Sequence, residues 1–281
     1  MHPIPEDEIV LSSLRNVDIP PCPSILLEVD RELKKASVDV RTVAQLISRD
    51  VALSGHVIQI ANSPAFTSGK DIRSLDHALQ LLGTQRIFNL VIVQLLKTAM
   101  SGADSLSMER FWESSAQVAR LSAELARRLR CIGTDVAYTF GLFHDCGIPL
   151  LMKHHPDTKR VLAAANQAED GNFTAIEDQH LGTNHAVVGY FLARRWRLPA
   201  DICKAIQLHH DYSVLAPTYE TELPVKQLIA LNVLAEHIIR LHGHGDGEHE
   251  WAKAASPACA IFGLSLGAID DLIEDMCEWL G

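Results

Sequence analysis

The chain has 281 residues, 47% of them hydrophobic and 21% charged, which is enough apolar material for one large core or two lobes and outside the range of disordered chains. A formal net charge of -10 leaves no basic stripe for the phosphates of a duplex and argues against a nucleic-acid role. The 6 cysteines form no Cys-x-x-Cys pair, so they fit buried, reduced thiols better than disulfides or a thiolate zinc knot, and a cytoplasmic location is expected.

The acidic opening Met1-His-Pro-Ile-Pro-Glu-Asp-Glu8 has no apolar run behind basic residues, so no secretory signal is expected. Pro23-Ser24 opens a helix toward Lys34, and Leu46, Ile47, Val51, Leu53, Val57, Ile58 and Ile60 then recur at helical spacing. Asn62-Ser63-Pro64 reads as a structural helix stop made by side-chain to backbone hydrogen bonds. Ser74 caps a helix through Leu75, Ala78 and Leu82 to Gly83, and Thr84 opens the next. The most apolar stretch, Leu90 to Leu96, is far shorter than the ~20 residues of a membrane span, so no membrane association is expected.

The polar run Ser101 to Ser105 separates an N-terminal helical lobe, 1–105, from a histidine-bearing lobe, 106–215; residues 216–281 form a C-terminal helical extension. Leu121, Leu125 and Leu129 lie on one helical stripe, and Trp112 and Trp196 are expected in the core. Thr174-Ala-Ile-Glu177 has the spacing of a capping box, which puts Glu177 in a first turn and His180 one turn on. Gly243 to Glu250 breaks the pattern again. The tail around it is amphipathic, through Leu228, Leu231, Leu234 and Ile238 and then Ile269, Leu272 and Ile273; such a stripe packs on its own domain or forms a partner surface. With β-branched alternation nearly absent, the class is all-α.

The central lobe holds a dense set of metal-capable side chains: His144-Asp145, His154-His155, Glu177, His180, His185 and His209-His210. A divalent cation needs imidazole and carboxylate donors converging from several elements, and an adjacent His-Asp pair supplies two of them where a helix ends. Gly147 and Pro149, just behind the pair, end or bend that helix, while His154-His155 before Pro156 read as an exposed helix end. Spacing alone leaves open whether the histidines bind a metal or satisfy one another.

The segment Phe140-Gly-Leu-Phe-His144-Asp145-Cys-Gly147 resembles the motif of the HD phosphohydrolase superfamily, and His185-Ala-Val-Val-Gly189, Trp196-Arg-Leu-Pro199 and Ala205-Ile-Gln-Leu-His209-His210 resemble its continuation in the HD-related output domain, HDOD. The first lobe is similar to the same family through Ile19-Pro-Pro-Cys-Pro23, Ile47-Ser-Arg-Asp50-Val-Ala-Leu53, with Val51 where Pro is usual, Asn62-Ser63-Pro-Ala-Phe66, and Ile72 to Gly83. The resemblance spans roughly Pro20 to His210 and implies a multi-helix, HD-like bundle with an additional N-terminal lobe. It also implies that His144, Asp145, His185, His209 and His210 match metal-binding positions.

Two ligand positions of the catalytic HD enzymes differ here. Ser114 stands where the first histidine is expected and Asn232 where the last aspartate is expected. The lysine and Gly-Tyr-Pro loop of the HD-GYP phosphodiesterases are replaced by Ile148 and Asp211-Tyr212-Ser213. A serine hydroxyl and an amide oxygen are weak ligands, and without a held cation no nucleophile is evident, so no catalytic residue is assigned. The five matching residues form either a residual Fe, Mn, Ni or Zn site or a self-satisfied polar network, with the network favoured. The resemblance therefore implies a non-catalytic signal-transduction module that contacts proteins of two-component or cyclic-dinucleotide pathways. The alternatives are a metal-dependent phosphohydrolase or cyclic-dinucleotide phosphodiesterase with an altered ligand set, and a sensor that binds without turnover.

Overall fold

A computed structural model describes residues 17–62, 72–100, 105–168, 173–243 and 249–280. Among them every regular element is helical, as the 3.6-residue periodicity requires. The chain divides into two compact units, one over Pro20–Ser101 and one over Gly102–Gly281 together with the segment ending at Ile19.

The first unit contains α1 (Ser24–Leu33), α2 (Val40–Ser48), α3 (Val51–Ala61), α4 (Leu75–Leu82) and α5 (Thr84–Ala99). The apolar stripe expected across 46–60 is split, because Asp50 ends one helix and starts another: its carboxylate accepts from Leu53 N at 3.0 Å. Ser74 caps α4 as expected, accepting from His77 N at 3.1 Å, and Gly83 turns the chain with a φ of 83° that only glycine adopts cheaply. Val29, Val43, Ile47, Val57, Ala78 and Ile87 form the core. Asn62 clamps the two ends of the segment that follows α3, since its amide nitrogen donates to Ile58 O at 3.1 Å and Ile72 O at 2.7 Å while its oxygen accepts from Ile72 N at 2.7 Å. Ser63 and Pro64 lie outside the described residues.

Among the described residues no single helix is long and apolar enough to cross a membrane. The pair α4 and α5 is apolar enough together but bends by 120°, with Leu79, Ile87 and Leu90 buried in the core of the unit.

The second unit contains α6 (Ser105–Leu129), α7 (Thr134–Phe143), α8 (Gly147–His154), α9 (Thr158–Asn166), α10 (Phe173–Leu181), α11 (His185–Arg195), α12 (Ala200–Leu208), a 3-10 turn (Tyr212–Leu215), α13 (Leu223–His242), α14 (His249–Phe262) and α15 (Leu266–Leu280). Helices α6 and α7 pack closely because Gly141 has no side chain; a Cβ there would sit 2.9 Å from Ala119 Cα. The tail is built into this unit, with Leu231, Leu234, Ile238, Cys259, Ile269 and Met276 sharing one core with Leu121, Leu125 and Ala137. Trp112 and Trp196 are buried, and all six cysteines are free thiols.

The breaker expected at Gly243 to Glu250 falls largely outside the described residues; its ends are Gly243, which caps α13, and Glu250 in the first turn of α14. The capping box expected at Thr174 is not formed. Helix α10 already includes Phe173, and Glu177 turns away from the helix start to face His185. A buried imidazole offers this carboxylate a stronger, charge-assisted partner than a backbone N–H does.

The Asn62 clamp gives a direct prediction. Asn62→Ala removes three hydrogen bonds worth about 1 kcal/mol each and should lower the stability of the first unit by about 2–3 kcal/mol in urea unfolding. A loss below about 0.5 kcal/mol would contradict the clamp.

Candidate metal centre

Helix α7 ends at Phe143, and a tight turn with Cys146 N donating to Phe143 O and Ile148 N donating to Asp145 O, both 2.9 Å, precedes α8. This break lets two adjacent side chains, His144 and Asp145, point to one place. Gly147 sets it: a Cβ there would lie 2.0 Å from His185 O, so α8 and α11 meet backbone to backbone. Pro149 occupies the first turn of α8, where its missing N–H costs nothing. On the facing side Asn184 caps α11 by accepting from Val187 N at 2.9 Å, which makes buried His185 the first helical residue. Helix α12 delivers His209 at its end and His210 beyond it.

The imidazoles are anchored on their outer edges. His144 Nδ1 is 2.8 Å from Gly141 O, His209 Nδ1 is 2.7 Å from Ile206 O, and His185 Nδ1 is 2.5 Å from Glu177 Oε2. His210 Nδ1 faces Glu250 Oε2 at 3.4 Å, and Glu250 also accepts from Tyr212 Oη at 2.7 Å and Lys253 Nζ at 3.0 Å. Phe173 stacks on the His210 ring at 4.4 Å. A ring whose Nδ1 donates outward presents Nε2 inward, the arrangement seen at metal sites with carboxylate or carbonyl support.

The inner contacts are longer than most of the outer ones. Asp145 Oδ1 is 3.3 Å from His185 Nε2 and 3.4 Å from His209 Nε2, which are 3.2 Å from each other. Asp145 Oδ2 is 3.3 Å from His144 Nε2, and that nitrogen is 3.2 Å from Glu236 Oε1. Charge-assisted hydrogen bonds run at about 2.7–2.9 Å, whereas ligands bound at about 2.0–2.2 Å around one tetrahedral ion stand about 3.3–3.6 Å apart. At 3.2–3.4 Å the inner contacts fit either long hydrogen bonds or donors spaced around one ion, while the outer contacts of His144, His185 and His209 have the spacing of ordinary hydrogen bonds.

Charge sets the four rings apart in pairs. Burial opposes a proton on His144 and on His185, yet Asp145 and Glu236 raise His144 well above its ordinary range, and Glu177 with Asp145 raises His185 to about 10. Burial would raise Asp145, but His144, His185 and His209 hold its carboxyl well below the usual range. Burial would likewise raise Glu236, and His144 overrides it, leaving Glu236 lowered. Burial keeps His209 low, and it lowers His210 to about 4 with help from His209.

All five residues expected from the sequence therefore converge: Asp145, His185, His209 and His210 place one ligand atom each within 4.8 Å of one another, and His144 does so with Asp145 and Glu236. These are sets that could hold a metal ion. Glu177 belongs to the cluster as the support of His185, while His180 is exposed and His154 accepts from Asp18 N at 3.3 Å. Ser114 lines a cavity of about 230 Å³ beside the cluster, with Ile148, Asn166, Glu236 and Arg240 also in its wall. Asn232 is buried, and its amide oxygen has no hydrogen-bond partner among the described residues. Sequence reasoning missed Glu236 and Glu250. The spacing Asn232 to Glu236, one helical turn on α13, was the available signal for the first.

Gly147→Ala should destabilise the protein by at least the roughly 1–3 kcal/mol typical of overpacking, because the obstructing atom is backbone. A thermal melt within 1 °C of wild type would contradict this.

A profile of the HDOD domain matches residues 19–212 of the chain. The solved structure of an HDOD domain protein of unknown function from Geobacter sulfurreducens is similar at a TM-score of 0.73 and 26% identity, covering 97% of this chain and 95% of that one. A Shewanella amazonensis SB2B structure, described as a candidate phosphohydrolase, covers 95% of this chain and 93% of its own at a TM-score of 0.71; with 23% identity, that likeness is one of fold. An uncharacterized protein of Treponema pallidum (strain Nichols) is 27% identical over 248 residues, 87% of this chain and 46% of that protein, so the chain spans about half the length of this curated relative.

Proposed function

The chain belongs to the HDOD family, and from that premise we propose that it is a cytoplasmic, non-catalytic signal-transduction module whose HD-like unit holds a divalent cation. The observation that carries the cation is the near-equilateral triangle of Asp145 Oδ1, His185 Nε2 and His209 Nε2, with edges of 3.3, 3.4 and 3.2 Å. Atoms spaced this way would suit an ion whose bonds to nitrogen and oxygen run about 2.0–2.2 Å, and Asp145, His185 and His209 would hold it. His210 supplies the fourth donor within the same 4.8 Å set. This geometry favours a cation over the self-satisfied network that the sequence suggested.

Imidazole-rich donor sets suit Fe, Mn, Ni or Zn. A cation held there supplies a fixed positive charge beside the cavity. Asp145 orients toward three imidazoles at once, Glu177 fixes the tautomer of His185, and Glu250 does the same for His210. The case against turnover rests on the cavity wall, where Ser114 stands in place of the first histidine of the catalytic HD enzymes and Ile148 in place of the lysine of the HD-GYP phosphodiesterases. Output then goes through protein partners, in the setting of two-component or cyclic-dinucleotide signalling that the family resemblance implies.

A second reading, a phosphohydrolase with an altered ligand set, is favoured by the cavity beside the cluster and by the presence of Glu236 in its wall. The two readings separate in one experiment. Purified protein should carry stoichiometric Mn, Fe, Ni or Zn by elemental analysis, and Asp145→Ala should lose it. Neither protein should hydrolyse a panel of nucleotides and cyclic dinucleotides; hydrolysis by wild type that Asp145→Ala abolishes would establish the enzyme instead. Folded, metal-free protein that takes up no added cation would refute the cation site. Glu177→Gln should weaken cation affinity by about 10–100-fold, the usual cost of losing such a support, as read by competition with a metal-sensitive dye.

A further inference from the structure

The second unit has a further cavity of about 610 Å³, which shares no lining residue with the one beside the histidine cluster and falls in the range of about 300–1,000 Å³ usual for ligand sites. Helices α11 and α12 bring Arg194 and Lys204 to it, and the segment that leads into α13 brings Glu220 and Glu222. We propose that this cavity binds an extended peptide segment of a partner protein, one whose acidic side chain meets Arg194 and Lys204 and whose basic side chain meets Glu220 and Glu222. The proposal rests on the reading that output goes through protein partners, and it is independent of the cation.

Charge complementarity carries it. Arg194 is positioned by Tyr190, one turn back on α11: the guanidinium lies 5.5 Å from the ring centroid, and Nη1 donates to Tyr190 Oη at 3.2 Å. Lys204 Nζ donates to Gln207 Oε1 at 3.1 Å, a neutral acceptor, and enters no ion pair among the described residues. Glu222 stands at the N-cap of α13 yet makes no capping bond, and neither it nor Glu220 enters an ion pair among the described residues. The two carboxylates thus face the same cavity as two cations without closing on either, and a ligand that bears both signs satisfies both sides. A nucleotide fits badly, because Glu220 and Glu222 repel its phosphates. The remaining lining is uncharged; it includes Leu198 and Val225, and burial pushes the Cys203 thiol up to about 11.

The acidic side is held in place from behind. Lys226, in the first turns of α13 and 7% exposed, donates from Nζ to Ala216 O at 2.7 Å and to Tyr219 O at 2.9 Å, and Thr221 N donates to Tyr219 O at 2.9 Å. A buried ammonium committed to two carbonyls fixes the course of the chain into Glu220. Next to the acidic residues in the chain, Tyr219 and Leu223 are 43% and 57% exposed and offer apolar contact to a ligand that continues past the cavity. A free amino acid is too short to use them, whereas a peptide reaches both cavity and rim.

The test uses the full chain and a phage-displayed library of random heptapeptides, with the selected peptides resynthesised and titrated by fluorescence polarisation. Enriched peptides should combine an acidic and a basic residue around an apolar one. Lys204→Glu and Glu222→Lys should each weaken their binding at least tenfold, while metal content and fold, judged by thermal melt, stay as in wild type. Lys204→Glu should regain affinity for a peptide whose acidic residue is changed to lysine, which separates a lost contact from a lost fold. Asp270→Lys, at an exposed position of α15, should leave the affinity unchanged. Peptides that bind wild type and both reversal variants equally would overturn this cavity while leaving partner docking elsewhere on the chain. Enrichment of no peptide would overturn the cavity as well, whereas phosphoester hydrolysis by the purified protein would overturn the signalling reading by itself.

Discussion

The convergence of three imidazoles on one carboxylate, Asp145, is the constraint on which the second unit depends. Placing two adjacent side chains on one point needs a helix break, and the break between α7 and α8 supplies it. Bringing His185 from α11 to the same point needs a backbone approach that Gly147 permits. Holding the rings at fixed tilt needs anchors behind them, which Gly141 O, Ile206 O, Glu177 and Glu250 provide. The local geometry of several helices is thus set by the demands of a single cluster.

Such a cluster is a poor way to stabilise a fold. Burying several ionisable groups incurs desolvation that their mutual attraction repays only with good geometry, and apolar residues of similar volume often do as well or better. The inner contacts at 3.2–3.4 Å are not the short charge-assisted bonds that would recover most of that cost. Their spacing makes sense when something occupies the centre. A cation would supply that element and turn the liability of a polar core into a binding site.

Much of this was legible in the sequence because it is local. The helix break follows from Gly147 and Pro149 beside His144-Asp145, the cap of α4 from Ser74, and the five converging residues from the stretches around them that resemble HDOD. Glu236 and Glu250 were not legible for the opposite reason: each reaches the cluster from a helix distant in sequence, so its role depends on how α13 and α14 are set against α7 and α12. Glu177 shows the intermediate case, where a local capping pattern lost to a tertiary partner, His185. Asp50 likewise divides a stripe that periodicity alone reads as continuous.

Asn232 and Ser114 read as losses in the sequence, yet Glu236 returns a carboxylate to His144 one turn away. The most direct test is anomalous diffraction from crystals of the purified protein, collected at the absorption edge of the metal that elemental analysis finds. The account predicts an anomalous peak within about 2.0–2.2 Å of Asp145 Oδ1, His185 Nε2 and His209 Nε2. Well-ordered side chains around a centre with no anomalous peak, in crystals grown with that metal, would contradict it.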